Sequence, residues 1–436
     1  MCPQMAEVTT PPKIAAGGAP LGINAKSSTP PQELRQLLQG NRAKRYALLS
    51  TARSILMTSK EAQALQYPME IHRTCKCAWL ERGASVNVHK TVDQGKAFYS
   101  QLVTCGSVWA CPVCSAKVQE RRREEIAAAM DWAYSNGLQC ALVTLTFPHT
   151  AAQKLADLLS MQADALRRLR AGAPWQRIKD SVNFQGLIRG LELTVGDNGW
   201  HPHTHEIWML DKDADVTELA EKVRNRWLKV CISAGLVDAD NERQKADFLE
   251  HSVDVKGAVS CSEYLAKMDD SKHWGVDREV AKGSTKAGKR KGVHPFGLLE
   301  IAAGYREGES GRAARLFREY AMVMKGKRQL FWSPGLKERV GIEDKTDEVL
   351  AEESREEAAL VASIPRTFWR LVRQSRTQSH VLDLVEESGA SQIKPFLYFL
   401  LARAQEVAPE GCEGRDQDDC ELIELRSDDG GVRYVF

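Results

Sequence analysis

No run in the 436 residues approaches the roughly 18 uninterrupted apolar positions of a membrane helix, so no spanning segment is expected. The opening Met1–Lys13 has no basic start followed by an apolar block, which removes the expectation of a secretory leader and makes the cytoplasm the default compartment. No internal repeat of useful length is visible. Net charge is also scarce, +2 from 60 Lys+Arg and 58 Asp+Glu, but its distribution is uneven. Residues 346–436 hold 10 basic and 19 acidic side chains, a charge of −9, which leaves +11 on residues 1–345. A basic body with an acidic tail raises the expectation of a polyanionic partner for the body. With 43% hydrophobic and 27% charged residues the chain is neither wholly disordered nor fibrous.

Cysteine is what the chain has in excess. Five of its eleven cysteines fall between Cys75 and Cys114. In a reducing compartment such clustering points to metal ligands rather than disulfides. Cys111-Pro-Val-Cys114 is a two-residue-gap knuckle with Cys105 shortly upstream and Cys75-Lys-Cys77 further back. Tetrahedral Zn²⁺ takes four thiolates, so Cys77, Cys105, Cys111 and Cys114 are the preferred structural set, with Cys75 competing for one place.

Patterning divides the chain into five parts. Residues 1–31, rich in Pro, Gly, Ala, Thr and Ser, read as a flexible arm, and 32–69 as a helical lead-in. Residues 70–120 form the cysteine-rich zinc-binding segment, 121–340 a domain of mixed strands and helices, and 341–436 an acidic helical module expected over 347–362 and about 368–406. Within 121–340, strand signals at 138–148 and on both sides of Gly196-Asp197-Asn198-Gly199 alternate with helical stretches. The fold class is α+β with a mainly antiparallel sheet. Arg121-Arg122-Arg123 is compensated by Glu120 and Glu124, and Trp200 and Trp208 are read as core residues.

The sharpest feature is His201-Pro202-His203-Thr204-His205. On a strand, residues two apart share a face, so His201, His203, His205, Ile207 and Met209 point the same way. A turn centred on Asp197 and Asn198 sets Thr194 opposite His201, Glu192 opposite His203 and Gly190 opposite His205. Directly opposed Cβ atoms lie about 5 Å apart, so one carboxylate and two or three imidazoles converge. That donor set suits Mn²⁺ or Mg²⁺ working on phosphate. In Gly257-Ala-Val-Ser-Cys-Ser-Glu-Tyr264-Leu-Ala-Lys267, helical spacing sets the Tyr264 phenol beside the Lys267 ammonium, which could lower its pKa and hold a phosphate oxygen. Lys282, Lys286, Lys289, Arg290 and Lys291 make a glycine-punctuated basic loop suited to tracking a DNA backbone.

Taken together, Leu142-Val-Thr-Leu-Thr-Phe147, His201-Pro-His-Thr-His205 and Tyr264-Leu-Ala-Lys267 resemble the three motifs of rolling-circle plasmid replication initiators of the HUH endonuclease superfamily. Cys105–Cys114 and Phe331-Trp-Ser-Pro-Gly-Leu-Lys337 resemble further segments of those proteins, and the likeness covers about residues 70–340. It implies a ferredoxin-like antiparallel palm, a metal held by His203, His205 and Glu192 with His201 secondary, and attack by Tyr264 on single-stranded or extruded origin DNA to leave a 5′-phosphotyrosine and a 3′-OH primer. A host helicase and DNA polymerase, and a second copy of the chain, are the further partners it suggests. Ser260 stands where some relatives carry a glutamate, and Met268 where others carry a second tyrosine, so the closing step of the cycle is not assigned. The competing readings are a transposase or relaxase of the same superfamily, or a zinc-containing DNA-binding regulator without catalysis.

Overall fold

The computed structural model describes residues 31–57, 71–259, 292–352, 357–406, 423–426 and 432–435. The arm expected over 1–31 therefore lies outside the described residues except for Pro31, as do Tyr264, Lys267 and the basic loop from Lys282 to Lys291. Among the described residues no helix is long and apolar enough to cross a membrane.

The chain begins with a helix over Pro31–Leu56, followed by β1 (Ser85–Thr91) and β2 (Ala97–Ser100). A long helix, Pro112–Ser135, opens with proline in its first turn and with Cys111 as N-cap, its sulfur accepting from the Cys114 N–H. Gly137, at φ +72°, ends that helix and turns the chain into β3 (Leu138–Leu145). The arginine triplet sits inside this helix rather than at its start. Arg121, Arg122 and Arg123 pair with Glu124, Glu125 and Glu120 at 3.7, 2.9 and 3.4 Å.

Helices Leu155–Leu169 and Gly172–Ser181 precede the hairpin of β4 (Gly186–Gly196) and β5 (Gly199–Asp211). Helix Val216–Ser233, capped by the Asp215 carboxylate, and helix Glu242–His251 lead to β6 (Val253–Lys256). Helices Pro295–Ala302 and Ser310–Val323 then lead to β7 (Leu330–Trp332).

Strands β6-β3-β5-β4-β7, in that spatial order, form one five-stranded sheet, every pairing antiparallel. On one face helix Pro112–Ser135 packs Ile126, Ala129 and Met130 against Cys140, Leu142, Ile188, Ile207 and Met209. These are the lower positions of the stripe that carries the three histidines, so the helix covers that half of the face and ends short of the imidazoles. Trp200 and Trp208 are buried in the core, as their patterning requires.

A second sheet corrects the helical reading of the C-terminal part. Of the helix expected over 347–362 the described residues contain Asp347–Glu352, while residues 358–365 form β8 (Ala358–Pro365), which pairs antiparallel with β1 from Thr91↔Ala358 to Ser85↔Pro365 around a bulge at Val88/His89. The alanines there favour helix locally, but burying Val361, Ala362 and Ile364 against β1 outweighs a propensity worth only a few tenths of a kcal/mol per residue. The order of this sheet is β10-β9-β8-β1-β2, with β9 at Ile423–Arg426 and β10 at Val432–Val435, and helices Arg366–Gln374, Gln378–Ser388 and Ile393–Glu406 accompany it.

Gly106 fixes how the cysteine segment meets residue 348. It sits at φ +60°, and a Cβ there would lie 2.8 Å from the Glu348 Cα, a backbone atom with no room to give. Gly106→Ala should cost on the order of 2–4 kcal/mol, from a left-handed backbone plus the clash, read as a lowered midpoint in denaturant melts.

Candidate metal and active site

The hairpin has the register that its turn dictates. Thr194 faces His201, Glu192 faces His203 and Gly190 faces His205. β3 closes the other side of β5 with Thr144 opposite His205, and its ladder ends at Leu145↔Thr204, so the proline at position 202, which cannot donate, meets no β3 partner.

Glu192, His203 and His205 converge, each presenting one ligand atom within 4.8 Å of the others. His203 Nε2 and His205 Nε2 lie 3.2 and 3.0 Å from the same oxygen, Glu192 Oε2. What holds the two rings is their other nitrogen. His203 Nδ1 donates to the His201 carbonyl at 3.3 Å, and His205 Nδ1 meets Thr144 Oγ1 at 3.1 Å. A ring whose Nδ1 carries the proton turns an Nε2 lone pair, when neutral, toward the carboxylate. Two lone pairs facing a carboxylate oxygen repel it unless a cation or protons lie between them. Burial alone would raise the Glu192 pKa, but hydrogen bonding and attraction from His203 and His205 outweigh it and hold the carboxyl well below the usual range. The donor set is therefore ionised oxygen plus imidazole nitrogen, partly buried and with its outer hydrogen bonds made.

His201 shares the face but not the cluster. Its Nε2 meets Thr146 Oγ1 at 2.6 Å, and its ring stacks on His149 at 4.6 Å with 13° between planes. Burial first, then repulsion from His203 and His149, push its pKa down to about 3. An unfolded histidine titrates near about 6.5, so the stability that neutral His201 leaves intact above that pH is lost as pH falls toward the folded value. Glu192, also depressed, acts in the same direction at lower pH. The thermal midpoint should fall between about pH 6.5 and about pH 4, and His201→Asn should flatten that fall. An unchanged pH profile in the variant would contradict the assignment.

The second group is the cysteine quartet. Cys77, Cys105, Cys111 and Cys114 are buried with their sulfurs within 4.8 Å of one another, the nearest pair, Cys77 and Cys114, at 3.4 Å. Such a quartet can bind a metal ion. Backbone N–H groups of Ser107 and Cys114 point at the sulfurs of Cys105 and Cys111, at 3.5 and 3.4 Å, as donors that favour thiolate. Cys75 lies apart, its sulfur 3.8 Å from the Arg53 carbonyl. Arg53, from the first helix, donates to the Cys75 and Cys77 carbonyls at 2.9 and 3.0 Å and stacks 4.3 Å from the Trp79 ring, so the turn presents Cys77 and turns Cys75 away.

Residues 98–231, from β2 through the knuckle and the hairpin to the helix after it, match a family model described as a replication protein. Over that stretch the chain is similar to Rep replication proteins. The curated "Protein rep" of Streptomyces lividans is 26% identical over 297 residues, 56% of this chain and 64% of that protein. A second relative, the "Neomycin resistance protein" of Streptomyces cyanogenus, is 37% identical over 139 residues, 26% of this chain and 32% of that protein. The chain thus spans less than two thirds of the length of either curated relative. No solved structure matches it.

In this Rep relative, three residues of the site were not legible beforehand. Thr144 and Thr146 come from the neighbouring strand and its end, and His149 from the loop beyond, where no periodicity marks them. The register of β3 on β5 brings Thr144 beside His205, and the chain just beyond β3 brings Thr146 and His149 beside His201. Gly199 lets the loop approach: it sits at φ +84°, where a Cβ would be 2.9 Å from the Ala151 Cα.

Proposed function

We propose that the chain initiates rolling-circle replication by nicking one strand of origin DNA, with Glu192, His203 and His205 holding Mg²⁺ or Mn²⁺ and Tyr264 as the nucleophile. The observation that carries the reading is the pair of Nε2 atoms aimed at one carboxylate oxygen, each ring locked through its other nitrogen. A divalent cation there would supply Lewis-acid polarisation of the scissile phosphate. The five-stranded antiparallel sheet with the histidine strand at its centre supports an HUH-type palm, and 121–340 is the corresponding catalytic unit.

The chain's path supports a role for Tyr264. Val259, the last described residue before it, packs with Ile207 and Met209 on the histidine face. Where the description resumes, a Cβ on Gly292 would lie 2.9 Å from Thr194 Oγ1, and Thr194 stands opposite His201. Val259 and Gly292, the described residues that flank this part of the sequence, thus both lie against the face that carries the imidazoles. In the proposed step the Tyr264 oxygen bonds to phosphorus as the P–O3′ bond breaks; the phenol loses its proton and the departing 3′ oxygen gains one. Lys267, three residues after Tyr264 in the sequence, would favour the phenolate and steady a phosphate oxygen. The basic loop from Lys282 to Lys291 would track the strand. Zn²⁺ on Cys77, Cys105, Cys111 and Cys114 would be structural, and the acidic C-terminal part is the candidate contact for a host helicase or polymerase.

The test is incubation with a labelled single-stranded DNA pool and Mn²⁺, followed by mass analysis of tryptic peptides. The expected result is a nucleotide on the peptide containing Tyr264 and no adduct from Tyr264→Phe. Binding with no cleavage and no adduct would favour the non-catalytic regulator.

A further inference from the structure

The pairing of β7 with β4 continues toward the metal site. Ile188 faces Trp332, Arg189 faces Phe331 and Gly190 faces Leu330, and the Leu191 N–H donates to the Gln329 carbonyl at 2.9 Å. Continued past the end of β7, the same register would set Arg328 opposite Glu192. Arg328 ends a turn, Lys325-Gly326-Lys327-Arg328, that is exposed along its length. Directly opposed residues project to the same face, so that register places Arg328 on the face that carries Glu192.

The turn is also held firmly. Trp109 Nε1, from the cysteine segment, donates to the Lys327 carbonyl at 2.7 Å, the Lys327 N–H donates to the Met324 carbonyl at 3.0 Å, and Gly326 takes φ +77°. Among the described residues none of Lys325, Lys327 and Arg328 makes a side-chain hydrogen bond or ion pair. This contrasts with Arg121, Arg122, Arg123, Arg167 and Arg168, each of which meets a carboxylate. Three exposed cations on a clamped backbone, one strand beyond Glu192, present positive charge that an anionic strand would neutralise.

We propose that Lys325, Lys327 and Arg328 form a phosphate-backbone clamp for single-stranded DNA next to the Glu192–His203–His205 site. This rests on the reading of that face as the one that receives DNA. The clamp holds the strand without reading its sequence, since phosphate contacts position and base contacts specify. Adjacent strands lie about 4.8 Å apart and successive phosphates of an extended strand about 6–7 Å apart, so a strand crossing from β5 to the turn would present its next one or two phosphates there.

The experiment measures anisotropy of a fluorescent single-stranded oligonucleotide over a salt series, for the full chain and for K325Q/K327Q/R328Q. Each lost phosphate contact lowers the slope of log K against log salt by about 0.7, so the variant should lose about 2 from the slope and bind about 10- to 100-fold more weakly near 0.1 M salt. Adduct formation at saturating DNA should stay within about 3-fold of the parent, because the clamp acts before the chemical step. A charge-matched control, K212Q/K229Q/R243Q, removes exposed cations elsewhere and should bind nearly as the parent does. Unchanged affinity and slope in the clamp variant, an equal loss in the control, or a parent chain that does not bind single strands would each overturn the proposal. Failure of the metal and tyrosine reading would show differently: DNA would still bind with a salt slope sensitive to the turn, but no covalent adduct would form.

Discussion

His203→Ala is expected to lower Mn²⁺-dependent cleavage of single-stranded DNA on the order of 10³-fold while leaving the fold intact. The ring lies at the partly open end of the sheet, so its removal opens space rather than a sealed cavity, and the melt should move little. What disappears is one of two imidazoles facing Glu192 Oε2. With one nitrogen donor gone, the depressed Glu192 carboxylate loses a partner and charge stabilisation at the phosphate falls with it. Thr144→Val should be milder, about 10- to 100-fold in apparent metal affinity, because it removes only the hydroxyl that orients His205. The graded order His203→Ala, then Thr144→Val, then parent distinguishes a metal centre from a chance row of histidines, for which neither change would affect cleavage.

Cys111→Ser should have the largest effect on stability. Cys111 is both a member of the buried quartet and the N-cap of Pro112–Ser135, the helix that supports the histidine face. Structural zinc contributes on the order of 10–16 kcal/mol to folding in small isolated domains, so loss of one thiolate should cost at least about 3–5 kcal/mol here. The damage should reach the hairpin. Trp109, within the knuckle, meets Tyr320 edge-on at 6.2 Å, and Tyr320 stacks on Trp200 at 6.0 Å, beside His201. Elemental analysis should find one zinc per chain in the parent and less than half that in Cys111→Ser, with a melt lowered by several degrees, on a scale of about 1–2 °C per kcal/mol for a chain of this length. A parent chain that carries no zinc and whose melt is indifferent to chelator would contradict a structural zinc site.

What the sequence made legible follows from which interactions are local. The hairpin register was readable because a two-residue turn and a period of two fix it without any knowledge of the rest of the chain. Glu192 opposite His203 needed nothing more. The sequence preferred Cys77 but left Cys75 competing with it, since what separates the two is Arg53, which reaches the turn from a helix far upstream. Likewise the strand Ala358–Pro365 has an alanine-rich sequence suited to helix, and only its distant partner Ser85–Thr91 makes it a strand. His149 and Thr146 belong to the same class, brought to His201 by tertiary packing alone.

The measurement that bears most directly on the account is pulsed EPR of Mn²⁺ bound to the full chain, read for ¹⁴N couplings. Two imidazole nitrogens should couple to one bound Mn²⁺, with one lost in His203→Ala, the other in His205→Ala, and binding greatly weakened in Glu192→Gln. A bound ion with no nitrogen coupling, or a spectrum unchanged by all three substitutions, would show that these side chains do not hold the metal.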